Sequence, residues 1–132
     1  MWDPTTGVEV RIKPHRAKDP YHEWTAPSHS ALHAPGRNEA FIEGVGGDRF
    51  AIEVIIHPLF QWKKALNLWA DLLIDGGTMS DSYCFTRPKD QQGVILRHEF
   101  ASFSQSDAVS SFKHGFTFGN VHMGKLLENY RW

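Results

Sequence analysis

Apolar and polar residues alternate with a period of two through residues 49–57 and 67–75. In the first segment Phe50, Ile52, Val54 and Ile56 share one face; in the second Leu68, Ala70, Leu72 and Ile74 do. Side chains on a strand point alternately to its two faces, so this period predicts half-buried strands. These two segments are the predicted centre of a sheet core. Residues 7–13 set Val8, Val10 and Ile12 against Glu9, Arg11 and Lys13, and predict a further strand stopped by Pro14. Further strands are predicted at 38–43, 79–86, 93–103 and 114–122, the last with Phe116 and Phe118 on one face.

The connections carry their own signals. Residues 14–36 hold Pro14, Pro20, Pro27 and Pro35, four histidines and almost no aliphatic side chains. This predicts a long irregular loop tied to the body by Tyr21, Trp24 and Leu32. The glycine-rich run 44–48 between two predicted strands suits a hairpin loop, and Asp75-Gly76-Gly77 a hairpin turn. Residues 59–65 have room for one helical turn. Ser104 and Asp107 stand at capping-box spacing ahead of a short helix or turn over 107–112. The tail 123–132 presents Leu126, Leu127 and Tyr130 at spacings that fit a helix of one or two turns. The expected fold is all-β: one domain over residues 1–132, an antiparallel β-sandwich or open barrel of about seven strands with at most short helices.

Charge and cysteine content narrow the function classes. Fourteen Lys and Arg against fifteen Asp and Glu give a net charge of −1, without the basic surplus a nucleic-acid-binding domain carries. The basic run Arg11, Lys13, His15, Arg16 and Lys18 reads as protection of a sheet edge. The single Cys84 has no second cysteine to bridge to. With no leader-like pattern in Met-Trp-Asp-Pro, this points to an intracellular protein of cytoplasm or nucleus. No apolar run approaches the ~18 residues of a membrane span.

The runs EAFIEGVGGDRFAIEVIIHP, LWADLLIDGG, GVILRHEFASFS and FTFGNVH resemble a fungal family of domains of unknown function over about residues 7–122, the 14–36 loop excepted. Shared features are a Gly-Val-x-Val-type first strand, an Ile-Glu segment leading through glycine to Phe-x-Ile, an Ile-Asp-Gly hairpin and a closing Phe-x-Phe-Gly. The resemblance implies a β-sandwich-like domain, often followed by a polar tail, in an intracellular protein. It brings no catalytic residue, cofactor or activity to these positions.

Eight histidines raise the question of metal. His29 and His33 have i, i+4 spacing, with His22 nearby, but Pro27 and Pro35 bracket the pair and no Glu follows His29 as a zinc-protease motif requires. A metal-dependent hydrolase built on His22, His29 and His33 is therefore the third-ranked reading. His57, His98, His114 and His122 fall on or at the ends of predicted strands, as polar edge residues. No Gly-x-Ser-x-Gly elbow occurs. Cys84 reads as a small buried hydrophobe, and Glu53 and Asp71 as solvated carboxylates on the outer face. No catalytic residue and no cofactor are expected. The outer-facing sets contain three large apolar residues, Ile55, Trp69 and Leu73, where a half-solvated sheet should be polar. A contiguous apolar patch marks a binding surface, so the first expectation is a non-catalytic module that binds a protein partner or forms a homodimer through Ile55, Trp69 and Leu73. The alternative is a carbohydrate-binding module stacking sugar on Trp24, Trp62 and Trp69.

Overall fold

The computed structural model describes residues 1–3, 5–25, 40–74, 79–90, 93–106 and 111–119. Its strands are β1 (Trp2–Asp3), β2 (Val8–Pro14), β3 (Glu23–Thr25), β4 (Ala40–Ile42), β5 (Arg49–Ile56), β6 (Asn67–Leu73), β7 (Met79–Thr86), β8 (Leu96–Phe100), β9 (Ser102–Ser106) and β10 (Ser111–Thr117). The described residues form no helix, every strand pair is antiparallel, and no sheet closes into a barrel.

β5 is the axis of the largest sheet. Its β-branched run suits a pleated surface packed on both sides. One edge pairs with β2 along its whole length, from Val8 opposite Ile56 to Pro14 opposite Phe50. The other edge is shared. β8 covers it from Ile56 to Ile52, and β10 takes over where Phe116 meets Phe50 and Thr117 meets Arg49. Between the two, the chain leaves the edge as the hairpin β9–β10, which starts at Ser102 opposite Gly115. β1 extends the sheet beyond β2.

The core lies between this sheet and the separate β6–β7 ribbon. Val54, Ile56, Phe100 and Phe116 from the sheet cluster with Phe85 of β7 and Trp62 of the loop between β5 and β6. Leu68, Ala70 and Leu72 of β6 pack against the same cluster. These are the faces the alternation predicted.

The departures from the expected elements follow from competition for strand edges. The strand expected over 93–103 is broken at Ala101, because its first half pairs with β5 and its second with β10. Residues 44–48 do not close a hairpin between β4 and β5: both edges of β5 are occupied, and β4 pairs with β3. The loop instead continues the β5–β10 contact, Gly47 donating to the Phe118 carbonyl and Phe118 to that of Asp48. Residues 59–65 form turns, with Phe60 donating to His57 and Ala65 to Trp62. Of the predicted 107–112 helix, Ser111 and Phe112 belong to β10, opposite Ser106 and Gln105; 107–110 lie outside the described residues, as does the 123–132 tail. Pro14 is the last residue of β2 and does not end the strand before it. Of the 14–36 segment, residues 15–22 run beside β2, Tyr21 donating to the Ile12 carbonyl, and 23–25 form β3; 26–36, with Leu32, lie outside the described residues.

Candidate interaction surface

The β6–β7 ribbon presents one face to the core and one to solvent. Along β6 exposure alternates strictly from Asn67 to Leu73. Leu68, Ala70 and Leu72 are half-buried, whereas Trp69 is 63% exposed and Leu73 60%. Asp71 stands between them, and across the ladder Trp69 faces the half-buried Cys84 and Asp71 faces Ser82.

The three residues expected to form one patch do not. Ile55 belongs to β5, in the other sheet, and has no exposed surface. Its alternation was read correctly, but the outer face of β5 is closed over: Ala51 is fully buried and Glu53 only 9% exposed. Glu53 is thus no ordinary solvated carboxylate, and lies 3.5 Å from Arg97. Lys13 and Glu99 form a neighbouring ion pair at 2.5 Å. Long side chains joined in pairs cover the apolar atoms beneath them with their stems.

The three tryptophans of the sugar-binding alternative separate too. Trp24 is 48% exposed on β3, but Trp62 is buried in the core with its ring edge-on to Phe60 at 5.1 Å. A buried indole offers no platform, so that alternative loses its central residue. Of the histidines proposed for metal, His22 is exposed with its ring against Trp24 at 4.5 Å; His29 and His33 lie outside the described residues. Among the described residues no group of three His, Cys, Asp or Glu side chains is placed to hold a metal ion.

Two clusters escaped sequence reasoning. His57 Nε2 lies 2.7 Å from Glu9 Oε2, and Arg11 Nε donates to Glu9 Oε1 at 2.6 Å. Trp2, opposite Glu9 in the β1–β2 ladder, places its ring edge-on to His57 at 4.3 Å. Burial by itself raises the Glu9 carboxyl; the hydrogen bonds and charges of Arg11 and His57 outweigh it and hold the group below the usual carboxylate range. Beside this cluster an open depression of about 500 Å³ is lined by Tyr21, His22 and Glu23. Its carboxylates are already paired, Glu9 as described and Glu23 with the terminal ammonium of Met1. The second cluster joins the layers: Tyr83 of β7 stacks on His98 of β8 with centroids 3.6 Å apart and planes 9° from parallel. Burial pushes the His98 imidazole below its ordinary value, against the opposing charges of Asp81 and Glu99. Both clusters join residues distant in sequence, and no local spacing announces them.

The fold and surface define an all-β domain with paired charges on one sheet and an apolar stripe on a separate two-stranded ribbon. The chain belongs to the family described as Domain of unknown function (DUF7918), whose model matches residues 7–129. No curated protein and no solved structure shows a significant match. No helix among the described residues is long and apolar enough to cross a membrane.

Proposed function

We propose that this domain is a non-catalytic interaction module that binds protein through the solvent face of β6. The carrying observation is the pair Trp69 and Leu73, each about two-thirds uncovered and on the same face of one strand. Single apolar residues on a surface are ordinary, but an aromatic and an aliphatic side chain four residues apart on one strand face form a stripe interrupted only by Asp71. Such a stripe gains free energy when a partner removes it from water. The reading keeps the domain inside the cell, where the lone Cys84 stays a thiol, and asks for no cofactor.

The test is a photo-crosslinking amino acid at position 69, with the chain expressed in its own cellular setting. Adducts to polypeptide, its own or another's, are expected at position 69 and not at the exposed Thr86 on β7. Adducts absent at both sites, or equal at both, would defeat the proposal. Titration of glycans followed by Trp fluorescence should leave the spectrum unchanged.

A further inference from the structure

Resting on that reading, we infer that the occupant of the ribbon is a second copy of this chain, added antiparallel along the edge of β6 that faces away from β7. Arg87 donates its backbone N–H to the Leu66 carbonyl at 2.8 Å, one step before Asn67 faces Thr86. In an antiparallel ladder hydrogen-bonded and non-bonded pairs alternate. Leu68, Ala70 and Leu72 therefore turn their backbone groups toward β7, and Asn67, Trp69, Asp71 and Leu73 turn theirs away. Among the described residues no strand pairs with that outward edge, since β6 and β7 form a sheet of two. The register shift after Leu72 adds the extra residue to β7, because Leu72 faces Asp81 and Leu73 faces Met79. β6 itself stays regular.

Natural edge strands are blunted by lysine, proline, bulges or covering strands. β2 shows these devices: it carries Arg11, Lys13 and Pro14, and its outer edge is taken by β1 and the Tyr21 backbone. β6 reads Asn-Leu-Trp-Ala-Asp-Leu-Leu and has neither lysine nor proline. An edge of this kind is a template for another strand.

The sequence of β6 suits its own antiparallel copy. With the two-fold axis at Ala70, Asn67 and Trp69 face the partner's Leu73 and Asp71. Each of these pairs uses outward-pointing backbone groups on both strands, as hydrogen bonding requires. On the core-side face Leu68 meets the partner's Leu72, which prolongs the apolar layer. On the solvent face Trp69 lies diagonal to the partner's Trp69 and Leu73, at roughly 7–8 Å and within reach of an aromatic side chain. Centring on Asp71 would set two carboxylates directly opposite each other, so the Ala70 register is preferred.

Light scattering on the intact chain over a concentration series, with residue-resolved amide exchange on the same samples, tests this. The mass should rise to twice that of the chain. As it does, the Trp69 and Asp71 amides should gain protection, while those of Leu68, Ala70 and Leu72 are protected throughout. Asp71→Pro removes an outward N–H that no strand among the described residues uses and should give a folded monomer; Asp71→Asn should still dimerise. If Asp71→Pro does not fold, the exchange data decide alone. A monomer at every concentration, a dimer whose Trp69 and Asp71 amides exchange unchanged, or a different protein on this edge overturns the inference. In any of these cases, polypeptide adducts from position 69 would leave the interaction reading standing, and their absence would remove both.

Discussion

At the scale of single residues, exposure separates side chains of the same type. Trp62 and Trp69 lie seven positions apart in sequence, yet one is 8% exposed in the core and the other 63% on the surface. Trp62→Ala should cost about 3–5 kcal/mol, the transfer of a large aromatic plus the cavity it leaves. Trp69→Ala should change stability by less than about 0.5–1 kcal/mol, and urea unfolding followed by circular dichroism checks both. Gly7 is a second sensitive position. Its φ is +77°, and a Cβ there would come within 2.8 Å of Leu59 Cδ1 and the Phe60 backbone nitrogen. Its N–H and carbonyl are engaged as well, with the Asp3 carbonyl and the His57 N–H. Gly7→Ala combines a left-handed backbone with a steric clash and should lose upwards of ~1 kcal/mol in the same assay.

At the scale of elements, the contact between the ribbon and the sheet is titratable. His98 sits on the core side of β8, opposite Val54, with its ring stacked on Tyr83 and edge-on to Phe100. Its folded value lies below the unfolded 6.5, so the unfolded chain binds this proton more readily. The stabilisation is complete above pH ~6.5 and declines as pH falls toward the folded value, then levels off. Glu9 adds a second limb of the same sign. Its folded value lies below 4.5, and the stability from its bonds to Arg11 and His57 is lost on acidification below that. Thermal unfolding across pH 7 to 3 should show both limbs. His98→Phe should flatten the upper limb, and Glu9→Gln the lower; an upper limb unchanged in His98→Phe would refute the assignment.

At the scale of the whole molecule, β5 shows what a two-sided environment does to a pattern. Ile55 and Leu73 both occupy outward positions by alternation, but their surroundings differ completely, 0% against 60% exposed. Ile55→Asp would bury an unpaired carboxylate and should destabilise the domain by more than ~3 kcal/mol. Leu73→Asp should leave the fold intact within about 1 kcal/mol while abolishing adducts from position 69. Chemical denaturation of the two variants in parallel measures the contrast. A tolerated Ile55→Asp would mean that the outer face of β5 is open.

What could be read from the chain alone was what short-range sterics govern. The period of two located β2, β5 and β6 almost to the residue and chose the faces of β5 and β6 that meet in the core, because side-chain alternation belongs to a single strand; β7 was placed by the turn signal ahead of it. The two exposed residues of the expected three, Trp69 and Leu73, were legible for the same reason. Edge pairing was not, since a backbone edge has no residue-specific code. Only the tertiary arrangement gave β5 to β2, β8 and β10, left β4 to β3, split the 93–103 segment at Ala101 and turned 111–112 into strand. It also buried Ile55, paired Glu53 with Arg97, and brought Glu9 to a histidine 48 residues away. Burial of an outward face depends on what lies over it, and alternation along one strand carries no information about a second layer.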